Sequence, residues 1–346
     1  MNIATRNIRT LSLTDLEQYI GEIGDSKFRA KQIHNWIWLH QAQSIDEMTN
    51  LSKELRHKLK QDFTFTTLTT NMVQNSDDGT IKTRFKTHDG HYIEGVIIPT
   101  EERKTACVSS QIGCSLSCKF CATGYMERKR NLDFEEIFDQ VAMLNKQSLE
   151  KYQTKLTNIV FMGMGEPLLN YKNVLKAIEM INSPEGLGIG SRRITVSTAG
   201  VAKQIKQLGD DGVKFKLAVS LHAANDKKRN EIMPINESNN LATLVDALNY
   251  FYKKTGSKVT FEYILFNNFN DSIADADELI KIYRQVPADL INIIEYNPID
   301  AARYTKPNEQ TTDEFMLHLQ KNRVNVRLRR SRGKDIDAAC GQLANK

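Results

Sequence analysis

The stretch Cys114-Ser-Leu-Ser-Cys118-Lys-Phe-Cys121 places three thiols close together in a Cys-x3-Cys-x2-Cys spacing. A structural zinc site normally takes four ligands, often as two Cys-x2-Cys pairs, and no histidine lies nearby in the sequence. Cys107, a short distance upstream, could supply a fourth ligand. Three thiolates also hold an iron–sulfur cluster in which one iron has no protein ligand. We favour this cluster over zinc because of the ligand set, and over buried core cysteines because three thiols within eight residues are rarely an accident of packing. An open iron can bind a substrate or cofactor.

The composition is that of a globular protein. The 346 residues are 40% hydrophobic and 26% charged and include only 7 prolines, which excludes collagen-like, low-complexity and disordered chains. No apolar run approaches the roughly 18 residues that a membrane-spanning helix needs, and residues 1–16 lack the apolar centre of a signal peptide. Five cysteines, a sparse and odd number, argue against a secreted disulfide framework. We therefore predict a cytoplasmic protein without membrane association, and a monomer because no association signal is present.

The first hundred residues change from a helical to a β-rich pattern. Thr14 and Ser52 are available as helix caps. Seven apolar residues predict a buried helical face: Phe28, Ile33, Trp36, Ile37, Leu51, Leu55 and Leu59. Strands are predicted at 63–65, 83–85 and 92–98, with turns at Asp77-Asp78-Gly79 and Asp89-Gly90. These patterns predict a small helical domain followed by a short β-rich extension.

Short apolar strands alternate with helices along the rest of the chain. Strands are predicted at 106–110, 158–162, 194–197, 215–221, 259–265, 290–295 and 324–328. Helices are predicted at 134–146, 171–181, 201–208, 241–254, 273–286 and 312–322. This alternation is typical of a parallel β/α sheet or barrel, in which active groups lie at the carboxyl ends of the strands.

Positive charge is unevenly distributed. The net charge is +5, and residues 321–334 carry seven basic side chains and no acid, while a smaller basic cluster follows the cysteines at 128–130. Apolar residues alternate there with Arg323, Arg327 and Arg329, which predicts a strand with an exposed basic side. A solvated face would have the same composition, but the asymmetry favours a polyanionic partner such as RNA.

The three cysteines, with Phe120 as the aromatic residue before the last one, resemble the signature of the radical S-adenosylmethionine (SAM) superfamily. Further motifs resemble the RlmN/Cfr family of adenosine methyltransferases within it. They are Cys118-Lys-Phe-Cys-Ala-Thr-Gly124, Phe161-Met-Gly-Met-Gly-Glu-Pro-Leu-Leu-Asn170, Ser220-Leu-His222, Met233-Pro-Ile-Asn236 and Asp335-Ile-Asp-Ala-Ala-Cys-Gly-Gln-Leu343. The resemblance implies an α/β fold: a partial (β/α)6 barrel (105–346) with an N-terminal helical RNA-binding domain (1–64) and a β-rich extension (65–104).

The resemblance also implies the cofactors. One [4Fe–4S] cluster is bound by Cys114, Cys118 and Cys121, and two SAM molecules are used per methylation, one as methyl donor and one as radical source. SAM contacts are implied for Gly165, Glu166, Ser197, Ser220, Leu221, His222 and Asn297. Without the resemblance, the glycines and Asn297 would be ordinary turn residues and His222 a structural histidine.

Carbon 2 of adenine is electron-poor and cannot attack the methyl group of SAM as a nucleophile, so the methyl carbon must arrive as a radical on a carrier. By resemblance, Cys340 is that carrier, first as S-methylcysteine and then as a covalent link to RNA. Glu94 matches the base that removes the ring proton. Cys107 matches the thiol that attacks Cys340, releases methylated RNA and leaves a Cys107–Cys340 disulfide for a reductant to reopen.

The implied substrates are one adenosine of 23S rRNA in the peptidyl-transferase region and the adenosine 3′ of the anticodon in some tRNAs. An electron donor such as flavodoxin or ferredoxin is implied as a partner. Cfr-type enzymes instead methylate carbon 8 and confer antibiotic resistance, and Pro167 after Glu166 favours the carbon-2 side. The alternative from another class is a non-catalytic RNA-binding protein with a structural metal site, which gives no role to Cys340 or Glu94.

Overall fold

The N-terminal part of the chain consists of three helices. The structure is a computed structural model that describes residues 6–345; the predictions for residues 1–5 and 346 lie outside the described residues. The helices are α1 (Leu13–Glu22), α2 (Phe28–Trp38) and α3 (Lys53–Asp62). Ser52 caps α3, as predicted, whereas α1 is capped by Ser12 and not by Thr14. Ser12 and Asp15 form a reciprocal capping box, which is why the helix begins before Thr14.

The buried face of α2 differs from the prediction at two aromatic residues. Ala30, Ile33 and Ile37 are buried, but Phe28 is 64% exposed. Phe28 lies two positions before Ala30, and two helical residues span about 200°, so its side chain projects from the opposite side. Trp38 is buried in place of the half-buried Trp36.

The strands form one large sheet and a small hairpin. The large sheet contains β1 (Thr69–Asn75), β2 (Ile81–Lys86), β3 (Tyr92–Pro99), β4 (Lys104–Cys107), β7 (Asn158–Phe161), β8 (Ile194–Thr198), β9 (Lys216–Ser220), β10 (Val259–Leu265), β11 (Ala288–Glu295) and β12 (Val326–Arg329). The hairpin pairs β5 (Gln111–Ile112) with β6 (Arg130–Asn131). The strand predicted at 63–65 is wrong: Thr64 makes only an isolated bridge to Asn7. The first strand is instead β1, which is largely exposed and polar and therefore has no apolar alternation to find.

The sheet changes character at β4. The strands run in the order β1-β2-β3-β4-β7-β8-β9-β10-β11-β12; they are antiparallel as far as β4 and parallel from β4 onward. The crossovers contain α4 (Phe134–Tyr152), α5 (Tyr171–Asn182), α6 (Ala202–Asp210), α7 (Asp226–Ile232), α8 (Leu241–Thr255), α9 (Ile273–Gln285) and α10 (Glu309–Lys321). Six strand–helix units followed by β12 confirm the predicted partial (β/α)6 barrel. The β-rich extension is not a separate sheet, because β3 pairs directly with β4.

One hydrophobic core joins the helices to the barrel. The same buried cluster contains Leu16 of α1 and Phe138 of α4, and the Trp38 ring contacts the Phe138 ring edge-on at 5.1 Å. Arg9 forms a buried ion pair with Asp139, with 2.5 Å between Nη2 and Oδ1. A buried charge pair is costly to break, so this contact fixes the N-terminal part against α4. Within residues 6–345, no helix is long and apolar enough to cross a membrane.

Candidate active site

The three cysteines lie on the segment between β5 and β6, residues 113–129, here named the cysteine loop. Cys114, Cys118 and Cys121 all line one cavity at the carboxyl ends of the parallel strands. The loop is tight: a Cβ on Gly124 would lie 2.6 Å from the carbonyl oxygen of Cys118, so only glycine fits where the chain turns back. The three cysteines that lie close together in the sequence therefore lie on one compact loop.

The donor set of the cysteine loop suits an iron–sulfur cluster. Burial raises the pKa of Cys114 to about 11, and burial also raises the pKa values of Cys118 and Cys121, so an incoming metal centre must displace protons. In the described residues, no three His, Cys, Asp or Glu side chains converge as ligands of a single metal ion. In a [4Fe–4S] cluster each thiolate binds a separate iron, so the three thiols do not have to converge on one metal ion.

Gly163, Gly165 and Glu166 follow β7 and line the same cavity. A Cβ on Gly165, whose φ is +92°, would lie 2.4 Å from the Cβ of Gln111. Only glycine avoids this clash with Gln111 at the turn. Glu166 is buried and accepts backbone N–H bonds from Ala199 at 2.8 Å and Leu168 at 3.0 Å. Burial raises the pKa of Glu166 to about 7, so a nearby ammonium group would favour its charged form.

The ends of β8 and β9 contribute Ser197, Ser220 and His222 to this cavity. The Nδ1 atom of His222 accepts the backbone N–H of Ile264 at 3.1 Å, which orients the ring. Burial lowers the pKa of His222 to about 3, so the imidazole is neutral at physiological pH. Leu221, the remaining residue predicted in this segment, does not line the cavity; it is fully buried.

Asn297 follows β11 and lies outside the cavity lining. Its Nδ2 donates to Ser331 Oγ at 2.9 Å and to the carbonyl oxygen of Cys340 at 3.2 Å. Its Oδ1 is buried without a hydrogen-bond partner among the described residues. An unpaired buried acceptor is costly, and the exocyclic amino group of an adenine is a donor that would satisfy it.

Cys107 and Cys340 line a second cavity that adjoins the first, together with Cys121 and Arg329. All five cysteines are free thiols, so the predicted Cys107–Cys340 disulfide is not formed in this structure. Burial raises the pKa of Cys107 to about 12, which keeps its thiol protonated near neutral pH.

The C-terminal tail, residues 330–345, brings Cys340 back to the barrel. Thr123 Oγ1 donates to the carbonyl oxygen of Leu343 at 2.6 Å, and the Ala122 N–H donates to the carbonyl oxygen of Gly341 at 2.7 Å. These bonds join the tail to the cysteine loop. At the other end of the tail, the Gly333 N–H donates to Asp78 Oδ2 at 2.9 Å. The tail is therefore held on both sides of Cys340.

Glu94 lies on β3, on the same face as Val96 and its partner Cys107 on β4. Its side chain is 0% exposed, because the tail covers it: Oε2 accepts the backbone N–H groups of Ala344 at 3.0 Å and Asn345 at 3.1 Å. Glu94, Cys107 and Cys340 are named the transfer site below. Residues 344–345 of the tail therefore occupy Oε2 and close Glu94 off from solvent.

The basic run at 321–334 is only partly the exposed face that we predicted. Arg323 and Arg327 are exposed, but Arg329 turns into the barrel and lines both cavities. Its Nη1 lies 3.4 Å from Oε2 of Glu262, a buried carboxylate on β10. The prediction was wrong for Arg329, because the alternation of apolar and basic residues within one strand does not show that another strand carries a buried acid such as Glu262.

Two buried charged side chains near the cavity escaped the sequence analysis. Arg229 is 0% exposed and donates to the carbonyl oxygens of Leu221 at 3.1 Å and Ala199 at 2.7 Å, so it ties the ends of β8 and β9 together. It lies on α7, a seven-residue polar helix that has no apolar pattern. Glu262 is the other; an acid inside the apolar strand Val259–Leu265 was the available signal, because buried charges need partners.

Comparisons with known proteins agree with this geometry. Residues 108–280 match the Radical SAM superfamily, and residues 6–64 match the Ribosomal RNA large subunit methyltransferase N-terminal domain. A solved radical SAM methyltransferase from Sphaerobacter thermophilus superposes with a TM-score of 0.92 at 40% identity, covering 99% of this chain and 100% of that one. The fold and the three-thiol loop thus define a radical SAM enzyme, a class that uses a [4Fe–4S] cluster and SAM.

Curated relatives specify the family. The chain is 55% identical to the probable dual-specificity RNA methyltransferase RlmN of Cytophaga hutchinsonii, covering 99% of this chain and 94% of that protein. It is 43% identical to dual-specificity RNA methyltransferase RlmN 2 of Myxococcus xanthus, covering 98% of this chain and 91% of that protein. The chain belongs to the RlmN family of dual-specificity RNA methyltransferases.

Proposed function

We propose that this enzyme methylates carbon 2 of an adenosine in 23S rRNA, in the peptidyl-transferase region, and of the adenosine 3′ of the anticodon in some tRNAs. The proposal rests on the family membership and on two free thiols that share a cavity with Cys121 of the cysteine loop. The buried carboxylate of Glu94 contacts the same tail that carries Cys340. A base must leave its stack to enter such a cavity, which favours protein-free or partly assembled rRNA as substrate.

Three thiolates, of Cys114, Cys118 and Cys121, would hold the cluster, and Gly165, Glu166, Ser197, Ser220 and His222 would contact SAM. Leu221 and Asn297 would act from behind the cavity wall, Asn297 through its free Oδ1. When bound, the cluster would supply the electron for SAM cleavage and serve as the one-electron acceptor after ring addition, and SAM would supply the methyl group and the hydrogen-abstracting radical. The glycines leave room for the cofactor against the backbone.

The steps that involve the protein's own side chains take place at the transfer site. Cys340 holds the methyl carbon and, as a methylene group, bonds to carbon 2 of the adenine. Glu94 accepts the proton that leaves carbon 2, and the loss of this proton together with one electron, which the cluster would accept, restores the aromatic ring. The Cys107 thiolate then attacks Sγ of Cys340: an S–S bond forms, the S–C bond breaks, and its electron pair and a proton convert the methylene to a methyl group. The transient disulfide needs an external thiol reductant.

A single observation carries this proposal: Cys107 and Cys340 are 233 positions apart in sequence, yet both are free thiols on one cavity wall next to Cys121. A metal-stabilised RNA-binding protein would have no use for that pair. This arrangement supports the proposal, because the covalent route needs a carrier thiol and a resolving thiol that face one cavity.

The remaining parts of the proposal concern partners and organisation. The helices before residue 65 would form an accessory RNA-binding part, residues 65–104 an extension of the sheet, and residues 105–346 the catalytic barrel. Exposed Arg323 and Arg327 would contact RNA phosphates. Flavodoxin or ferredoxin would donate electrons, and the enzyme would act as a monomer in the cytoplasm.

The deciding experiment is anaerobic reconstitution with iron and sulfide, followed by incubation with SAM, a reductant and an rRNA fragment. Mass spectrometry of the digested nucleosides should detect 2-methyladenosine. Detection of 8-methyladenosine would move the enzyme to Cfr-type chemistry. The absence of both methylation and 5′-deoxyadenosine would contradict the enzymatic proposal and support a metal-stabilised RNA-binding protein.

A further inference from the structure

Lys82 and Glu94 form a buried ion pair across neighbouring strands. Lys82 lies on β2 and Glu94 on β3, and their side chains are only 2% and 0% exposed. The distance between Lys82 Nζ and Glu94 Oε1 is 3.5 Å. Removing one partner of a buried pair leaves an uncompensated charge, so each side chain requires the other. The reaction proposed above gives Glu94 a function but assigns none to Lys82.

The same ion pair holds the C-terminal tail at two points that enclose Cys340. Lys82 Nζ donates to the carbonyl oxygen of Asp337 at 3.4 Å, before Cys340 in the chain. Glu94 Oε2 accepts the N–H groups of Ala344 and Asn345, after Cys340. One pair of charges therefore contacts both arms of the segment that carries the methyl group.

The two oxygens of Glu94 have different surroundings. Oε2 accepts two backbone hydrogen bonds, whereas Oε1 faces Lys82 and accepts no hydrogen bond from the described residues. Oε1 is thus the oxygen with a lone pair free for a proton. The Lys82 ammonium lies beside this oxygen and restrains the orientation of the carboxylate.

We propose that Lys82 is a positioning residue for methyl transfer: it orients the Glu94 carboxylate and fixes the Asp337 arm of the tail, so that base and methyl carrier face the same adenine. This inference rests on the proposed function. In the step concerned, the C2–H bond breaks, the proton passes to Glu94 Oε1, and the electron pair of that bond stays in the ring. Residues 344–345 leave Glu94 when the base enters, while Lys82 stays paired with it.

The test compares Lys82→Met, Lys82→Arg and Lys86→Met in the full-length, reconstituted enzyme. Lys86 is exposed on the same strand and is the matched control. We measure iron content, S-methylation of Cys340 by peptide mass spectrometry, protein–RNA adduct on denaturing gels, and 2-methyladenosine. We expect Lys82→Met to keep its iron and its S-methylation, to accumulate adduct, and to release product about 100-fold more slowly, the scale of a lost general base. Lys82→Arg should recover at least a tenth of the wild-type rate.

Parallel loss of iron, S-methylation, adduct and product in Lys82→Met would overturn the inference, because that pattern is a folding defect. Wild-type release by this variant would overturn it as well. The double variant Lys82→Met/Glu94→Gln removes both buried charges, so it does not leave an unpaired charge that could cause misfolding. If Lys82 acts through Glu94, the double variant should release product no more slowly than Glu94→Gln alone. An additive loss of rate would contradict the inference. Wild-type enzyme in the same assay separates the two proposals, because failure to form 2-methyladenosine there refutes the function itself.

Discussion

The cysteine loop and the transfer site lie side by side but are built in opposite ways. The cysteine loop takes its three thiols from one stretch of the chain and is closed by short-range bonds such as Cys121 N–H to the Cys118 carbonyl at 3.2 Å. The transfer site takes Glu94 from β3, Cys107 from β4 and Cys340 from the tail. The two regions meet at Cys121, which lines the same cavity as Cys107 and Cys340.

This difference separates two kinds of dependence on the fold. The cysteine loop depends on its own residue types, because ligand number and local turns decide whether it binds a cluster. The transfer site depends on sheet pairing and on where the tail is held, through contacts such as Thr123 to Leu343. Substitutions in the first region should therefore remove the cofactor, whereas substitutions in the second should interrupt the reaction at separate stages.

The largest effect is expected from Cys118→Ala in the cysteine loop. Loss of one of three thiolates should remove the brown colour and the iron together and reduce both SAM cleavage and methylation to background. Iron analysis and 5′-deoxyadenosine assays measure this. Iron retained at normal stoichiometry would count against ligation by three thiolates.

Cys340→Ala should abolish methyl transfer with the cluster intact, since it removes the carrier but no cluster ligand. Nucleoside mass spectrometry should find no 2-methyladenosine, while iron content matches that of the wild type. This variant is also the control for Cys118→Ala. Full turnover by Cys340→Ala would eliminate the carrier role.

Cys107→Ala should stop the reaction one stage later. The adduct forms, but no thiol remains to cleave the S–C bond, so a slowly migrating protein–RNA species should persist on a denaturing gel. Product release should fall at least about 100-fold, the scale of a missing reacting group. A gel without any adduct would show that the resolving role belongs elsewhere.

Adduct release should depend on pH in the wild type. The thiolate of Cys107 is the attacking form, and burial raises the pKa of Cys107 to about 12. Below that pKa the thiolate fraction rises about tenfold per pH unit, so release of preformed adduct should accelerate between pH 7 and 9. A rate that is flat over this range would mean that thiol ionisation does not limit release. Cys107→Ala adduct provides the baseline.

The smallest effect is expected at Asp78, which anchors the start of the tail. Hydrogen bonds from the backbone N–H groups of Thr80 and Gly333 and from neighbouring side chains outweigh burial and lower the pKa of Asp78 to about 2. Asp78→Asn should lower the free energy of unfolding by about 1 kcal/mol at neutral pH. Asp77→Asn, at an exposed neighbour, is the control.

The pH dependence of that difference has a defined sign. The folded pKa lies below the unfolded value of about 3.9, so the contribution of the Asp78 carboxylate is complete above pH 4 and disappears as the pH falls through 2. Urea unfolding of Asp78→Asn and wild type at pH 7 and pH 3 measures it. A difference that grows on acidification would contradict the assignment.

Much of the barrel was predictable because its strands and helices have strong periodic patterns. Strand β10 lies at the predicted residues, Val259–Leu265, and α5 ends within one residue of the prediction. The failures lie where the local pattern is weak: β1 is polar, α7 is short, and Phe28 begins a helix whose buried face is set by its partners. In each case tertiary packing, and not the local pattern, selected the observed structure.

The sequence by itself determined the residue types and spacing of the cysteine loop, because cluster chemistry depends on ligands that are adjacent in the chain. The tertiary structure alone decided that Lys82 pairs with Glu94, that Arg329 faces Glu262, and that the tail covers the base. These contacts join residues up to 251 positions apart. Strand order and the return of the tail create them, and periodicity in one sequence contains no information about such pairings.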